Sequence, residues 1–464
     1  MTIALYWAKN DLRLDDNPAL TAAATGTGRF LAVYCIDARH YGRDADGEPR
    51  LGPHRRVFLR QSLNDLRARM ADRGGRLLVL QGEPERLLPG LAAALDVERI
   101  TAFVEIAPEE CNQVAAVARA LPPGMLDCHE ANGLFATADL PFEPADVPGS
   151  FSWFRRKVEG HCQPGDPIPA PVELPPPPAA LADWPDALPD AEVWPDTDCP
   201  YAGGETQGLA RMHHYLWDTH ALADYKRTRN GLLGPDFSSR FSPWLALGCI
   251  SPRRLMAEIH RFEHEVVANE STYWLGFELL WREFFRWILR AHGAALFRRA
   301  GILERQDRSR ARDDDRFAAW CEGRTGMPFV DANMRELAAT GYMSNRGRQN
   351  AASFFARDLG QDWRRGAAWF ESRLVDYDVA SNWGNWASVA GVGTDRRDRG
   401  FDVLWQARRY DPDAAFVDHW LPELRGLPAD QRHTPFLLPD KLRRQLDYPT
   451  LATVPAAWRD AAAD

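Results

Sequence analysis

Trp274, Glu278 and Trp281 are spaced i, i+4 and i+7, so in a helix they share one face. A carboxylate between two indoles is costly in a plain apolar core, because burying its charge without a partner is unfavourable. In an open slot the same trio makes chemical sense: flat apolar walls with one acceptor suit a nucleobase. The spacing alone fits two core tryptophans and a glutamate at the rim, the commoner use of such a face. Arg282, Arg286, Arg290, Arg298, Arg299 and Arg305 follow, offset only by Glu283 and Glu304. They read either as a phosphate-tracking rim beside the aromatics or as a solvated face.

Three further groups could bind a ligand. In MSNRGRQ, Asn345, Arg348 and Gln349 share a helix face, and Asn offers a donor and an acceptor to a heterocycle edge. Arg346 points elsewhere and could meet a phosphate. In DYDVASNWGNW, Asp376 and Asp378 leave on different faces, whereas Asn382 and Trp386 share one. Paired Asp could serve a metal or acid–base chemistry, but no His or third carboxylate is near, so no metal is expected. Acceptors for a ligand's N–H or hydroxyl groups are the better use. Tyr225 and Ser238, Ser239, Arg240, Phe241 and Ser242 precede Pro243. Small hydroxyls and backbone N–H groups at a helix start bind phosphate, or simply cap the helix. Together these groups describe a nucleotide-like cofactor beside a nucleic-acid surface. There is no GxSxG and no Ser–His–Asp ordering to support a hydrolase.

These residues need a scaffold. The first part of the chain alternates apolar strand candidates (3–7, 30–36, 77–80, 100–104) with helix candidates (57–73, 85–95, 109–121), the pattern of a doubly wound parallel sheet. It lacks GxGxxG after the first strand and GxxxxGK[ST] anywhere. Residues 164–200 hold 12 of the 34 prolines and read as an extended surface linker. Beyond 205 the pattern is helical, with helices expected over 273–299, from 328 to 341 and over 345–359. The expected organisation is an α/β domain at 1–135, an interdomain linker at 136–204 and an all-helical domain at 205–464. The final AAWRDAAAD is expected to fray.

Composition sets the outer limits. A chain of 464 residues suggests two or three domains and buries a core without staples. Hydrophobic residues at 45% and charged residues at 26% exclude global disorder and a coiled-coil rod. No window approaches the roughly 18 unbroken apolar residues of a membrane span, and MTIALYWAKNDLR does not read as a signal peptide. The seven scattered cysteines form no CxxC, which suits reduced thiols and a cytoplasmic location. The net charge of −9 makes any nucleic-acid surface a local one.

Longer strings are familiar. WAKNDLRLDDNPAL (7–20) resembles the N-terminal signature of the photolyase/cryptochrome family, and DYKRTRNGLLGPDFSSRFSPWLALGCISPR (224–253) resembles its flavin-binding stretch. STYWLGFELLWREFFRW, TGMPFVDANMRELAATGYMSNRGRQNAASFFARDLGQDWRRGA and DYDVASNWGNW follow in the family's order, and the TRNG, FELLWREFF, DANMREL and SNRGRQN variants resemble its DASH cryptochrome branch. The resemblance implies an α/β antenna domain followed by an all-helical domain holding FAD. It places Tyr225 and residues 238–242 at the FAD phosphates, Arg348, Asp376 and Asp378 around the isoalloxazine and ribose, and Asn382 opposite the flavin N5. Glu278, Trp281, Asn345, Arg346 and Gln349 match lesion-contacting positions.

The implied reaction is blue-light-driven reversal of cyclobutane pyrimidine dimers by electron donation from reduced FAD, with single-stranded DNA preferred and RNA a further candidate. No residue need be a nucleophile; the protein positions, polarises and excludes water. A monomer is expected. The implied antenna is 5,10-methenyltetrahydrofolate, with Glu109 the expected contact and Glu110 close behind it. The sequence departs from the family pattern twice. Trp386 and Trp363 match the inner two of three electron-relay tryptophans, but the outer position falls on Arg310, leaving Trp405 as another aromatic for the route. Ser388 stands where a lesion-stacking Trp or Tyr is common. The alternative is a photoreceptor with little or no repair; a plain flavoprotein without DNA is a third reading. The short segment after Tyr448 weighs against a signalling tail.

Overall fold

The computed structural model describes residues 2–43, 47, 49–181, 184–188, 199–305, 312–394 and 400–454. Strands β1 (Ile3–Ala8), β2 (Arg29–Ile36), β3 (Leu77–Gln81), β4 (Arg99–Phe103) and β5 (Leu126–His129) form one parallel sheet in the order β3-β2-β1-β4-β5. Strand alternation sorts the side chains onto two faces. Leu5, Trp7, Leu31, Val33, Leu78 and Ile100 pack beneath helices Pro84–Leu95 and Pro108–Ala120. Ala4, Tyr6, Phe30, Ala32, Tyr34 and Val79 face the other way, into a core that continues unbroken through the helical half of the chain.

The four expected strands are present with ends shifted by a residue or two. The fifth, LDCH, lacks a strong apolar alternation because it lies at the sheet edge and stays partly exposed. The helix expected over 273–299 is Glu270–His292; it stops at Gly293, whose φ of 50° suits glycine, and a tight turn follows. The helix expected over 345–359 is regular only over Asn345–Ser353 and then widens at Phe354. Between the two halves, Phe151–His161 forms a helix that the sequence reading did not place. The Pro-rich run beyond it is extended along the sheet, with the Phe30 amide donating to Pro176 O at 3.2 Å. The last ten residues lie outside the described part. Among the described residues no helix is long and apolar enough to cross a membrane, and the seven cysteines form no disulfide.

Residues 10–17 are threaded between the two halves. Glu205 accepts from the amides of Leu14 and Asp15 at 2.7 and 3.0 Å. Asp16 is fully buried and receives Arg253 through Nε at 3.0 Å and Nη2 at 2.5 Å, together with the Ser251 hydroxyl and the Ile168 amide. Removing one member of a buried pair leaves the other uncompensated. Asp16→Asn keeps the shape and the tolerance for its φ of 52° but removes the charge. It should lower unfolding free energy in urea by about 3 kcal/mol, the low end for such pairs because Arg253 keeps an edge in water. An unchanged urea midpoint would show that this pair does not hold the halves together.

Candidate functional site

The helix Glu270–His292 begins with Asn269, whose side chain accepts from the Ser271 and Thr272 amides at 2.7 and 3.1 Å. That cap fixes the helix register and turns Trp274, Glu278 and Trp281 into one cavity of about 540 Å³. The same cavity is lined by Tyr225, by Ser238, Ser239, Arg240, Phe241 and Ser242, by Asn345, Arg348 and Gln349, and by Asp376, Asp378, Asn382 and Trp386. Burial runs from rim to floor. Asn345 is exposed, Glu278 and Gln349 are partly so, and Asp376, Asn382 and Trp386 are buried.

Each floor residue is held by a specific partner. Arg348 donates to both carboxylate oxygens of Asp376, at 3.0 and 2.7 Å, and through Nε to Met343 O at 2.9 Å. Asp378 caps helix Val379–Val389, accepting from the Ser381 amide at 2.8 Å. Burial opposes its ionisation, but Arg282, Arg286 and the Ser381 bonds outweigh that and hold its pKa below the usual carboxylate range. Asn382 spends its amide nitrogen on Ala367 O at 3.0 Å and accepts no bond within the described residues. Its side-chain oxygen therefore remains available to a ligand. Arg240 has a φ of 54°, and its side chain is tied to Tyr201 at 3.0 Å and Gly234 O at 2.7 Å.

At the rim, burial raises the Glu278 pKa while the Arg229 guanidinium, bonded to its carboxylate, opposes the rise. Trp281 is covered on one side by Phe151, with ring centroids 3.7 Å apart and planes 10° from parallel. Sequence reasoning missed Phe151 because it comes from the interdomain stretch; only local helix periodicity in FSWFRRKVEGH could have flagged it. Arg346 lies just outside the cavity. It donates to Gln349 at 2.9 Å, Gln406 at 3.0 Å and Asn230 at 2.9 Å, and stacks over Tyr410 at 4.3 Å.

The arginine series is divided: Arg298 and Arg299 are exposed, whereas Arg282, Arg290 and Arg305 are tied into the fold. Arg282 donates to Asn132 O at 2.7 Å and Arg290 to Glu130 at 3.0 Å, both in the segment that follows β5. Arg305 donates to Gly391 O at 2.9 Å and Arg299 pairs with Asp362. Arg282 and Arg290 fasten the helix to the segment after β5. Trp386 is buried against Trp320, Phe355 and Phe370, with centroids 6.1, 6.1 and 5.1 Å away. Trp363 lies behind the cavity, edge-on to Trp383 at 5.7 Å. Arg310 lies outside the described residues. Ser388 does not line the cavity; its hydroxyl donates to Gly384 O at 2.8 Å.

Glu109 belongs to a second cleft of about 320 Å³, formed by the C-terminal ends of β1, β2 and β4 and closed by Phe297, Glu371, Tyr377 and Trp383 of the helical half. This is where the strand order reverses, the usual ligand position in an open parallel sheet. Arg50 bridges Glu109 at 2.8 Å and Glu371 at 3.1 Å. Glu110 makes no ion pair among the described residues, and burial beside Glu105 pushes its pKa up to about 7. No cluster of three metal-ligating residues occurs among the described residues.

The chain matches two family models: "DNA photolyase" over residues 4–176 and "FAD binding domain of DNA photolyase" over residues 274–463. It is 47% identical to a cryptochrome DASH from Natronomonas pharaonis, over 97% of each chain. It is also 47% identical to one from Gloeobacter violaceus, over 96% of this chain and 92% of the relative. The crystal structure of the Synechocystis sp. PCC6803 cryptochrome superposes with a TM-score of 0.93 at 42% identity, covering 98% of this chain and 97% of that one. A class III photolyase from Agrobacterium tumefaciens superposes with a TM-score of 0.84 at 28% identity, covering 100% and 96%. With both halves matched in order and relatives this similar along nearly the full length, the chain belongs to the photolyase/cryptochrome family, in its DASH cryptochrome branch, and its helical half is that family's FAD-binding domain.

Proposed function

We propose that this protein is a blue-light-driven, FAD-dependent lyase that splits cyclobutane pyrimidine dimers, preferring single-stranded DNA. The observation that carries this reading is the graded cavity: a buried polar floor suited to a flavin nucleotide beneath a rim of Glu278 and Trp281 suited to two linked, unstacked bases of one strand. The floor fits the cofactor. The serine hydroxyls and the Arg240 turn would hold the diphosphate, Arg348 and Asp376 the ribose and ring edge, and the free oxygen of Asn382 a ring N–H. When bound, FAD supplies light-driven one-electron donation.

The chain's own residues do the rest. Trp281, braced from behind by Phe151, offers a fixed apolar face, so stacking costs little ordering. Glu278 meets the dimer edge, with Asn345 and Gln349 reading the far side. Burial raises its pKa against the pull of Arg229, so a ligand that drew Arg229 away would shift the carboxyl toward the form that can donate a hydrogen bond where negative charge develops. Arg346 meets the strand backbone. Trp386 and Trp363 carry electrons toward the floor. In the second cleft a pterin such as 5,10-methenyltetrahydrofolate would fit between the aromatic walls; Glu109 is already tied to Arg50, which leaves Glu110 free to bond it.

Reduced protein illuminated with blue light should remove a cyclobutane dimer from single-stranded DNA, with no loss in the dark; binding without loss would favour the photoreceptor reading. Glu278→Ala should slow dimer loss by about ten- to a hundredfold, the worth of a hydrogen bond to a charged group, and Glu278→Gln should retain part of the rate. Full repair by Glu278→Ala would remove Glu278 from the reaction. Ser388→Tyr adds a ring at the end of helix Val379–Val389. If that ring reaches the rim it should tighten dimer binding by about tenfold, within the range of one base–aromatic stack, as measured by titration.

A further inference from the structure

Helix Val403–Tyr410 packs against the cavity rim without lining it. Its inner side is anchored: Gln406 accepts from Arg346 at 3.0 Å, and Tyr410 lies beneath the Arg346 guanidinium at 4.3 Å. Arg346 in turn donates to Gln349, which lines the cavity. The adjoining face of the same helix carries Trp405, which is 56% exposed, with Arg408 and Arg409 at i+3 and i+4, both exposed. Neither arginine has an ion pair or hydrogen bond among the described residues, in contrast to Arg282 and Arg290 on helix Glu270–His292, which are engaged in the fold. In a chain of net charge −9, an exposed indole flanked by two unpaired arginines is a local basic, aromatic patch.

We propose that Trp405 is a stacking platform for an unpaired base of the strand flanking the cavity, with Arg408 and Arg409 gripping the adjacent phosphates. This rests on the reading of the cavity as a nucleic-acid site. Each part has a matching chemistry. An exposed indole stacks on any base face, so it tolerates sequence but requires an unpaired base. Two exposed guanidiniums, paired with no carboxylate among the described residues, can neutralise phosphates. The anchored inner side keeps the platform in register with Arg346, so a strand held at the cavity meets the platform only when it extends beyond the dimer. The platform would thus make flank length and single-strandedness, rather than the dimer itself, the quantity that Trp405 reads.

The test uses the full-length, flavin-loaded protein and fluorescein-labelled thymidine strands carrying one cyclobutane dimer, either trimmed to the dimer or extended on one side, the other, or both. Anisotropy titrations give the affinities. Trp405→Ala should weaken binding of the extended strand by about tenfold and leave the trimmed one unchanged; Trp405→Phe should keep most of the affinity. Extension on one side alone should recover the gain, and the same flanks in duplex form should show less of it. Replacing Arg408 and Arg409 by Ala should reduce the slope of log affinity against log salt by about one to two. Glu278→Ala should weaken trimmed and extended strands alike, so a failure of the cavity reading is seen separately from a failure of the platform. Equal affinity of wild type and Trp405→Ala for the extended strand overturns the proposal and leaves this face to a protein partner. Absence of any binding by the wild type overturns both.

Discussion

The buried guanidinium of Arg13 is the constraint on which the two halves depend. It is 1% exposed and pairs with no carboxylate among the described residues, yet it is bonded on all sides. Nε and Nη2 donate to Asp16 O, and Nη1 donates to Asn132 Oδ1 at 2.7 Å and Gly248 O at 2.9 Å. Those acceptors come from the loop after β1, the segment after β5 and the helical half. A buried cation solvated by oxygens from three segments is satisfied only when all three are in place. Gly248 tightens the requirement: a Cβ there would lie 2.1 Å from Asn10 O, so the chain approaches to backbone contact.

That seam explains the string WAKNDLRLDDNPAL. None of its polar residues reaches the helical cavity. Asp11 accepts from the Lys9 amide at 2.8 Å, Asn17 donates to the Tyr6 hydroxyl at 2.8 Å, Asp15 pairs with Arg254 at 2.7 Å and Asp16 with Arg253. The sequence announces the family through residues whose physical work is to lock one half onto the other. The cavity was legible because its side chains obey a period: Glu278 and Trp281 on one helix, Asn345, Arg348 and Gln349 on another, Asn382 and Trp386 on a third. Glu109 was legible only through resemblance.

What escaped sequence reading was whatever depends on contact between distant segments. Phe151 stacks on Trp281 across a separation in sequence that no periodicity encodes. Arg282 and Arg290 looked like surface charge, because a run of arginines carries no sign of which acceptors fold over it; here the acceptors are Asn132 O and Glu130. Gln406 and Tyr410 gave no signal as partners of Arg346 for the same reason. β5 was invisible because an edge strand needs only one apolar side.

The seam also creates the second cleft. Its floor is the strand ends Trp7–Asn10, Tyr34–Asp37 and Glu105–Glu110, and its roof is Glu371, Tyr377 and Trp383. Neither half has this cleft alone. Tyr377 lines both the cleft and the cavity. Its hydroxyl donates to Glu371 at 2.9 Å and accepts from Trp383 Nε1 at 3.2 Å, while Arg55 covers its ring at 4.7 Å. Asp376 and Asp378, its neighbours on either side, both line the cavity. A movement of Tyr377 toward the cleft would therefore pull directly on the residues that hold the cavity floor. The bonds to Glu371 and Trp383 and the cover of Arg55, which comes from the α/β half, oppose that movement, so the geometry of the cavity depends on contacts at the junction as well as on the helices that line it.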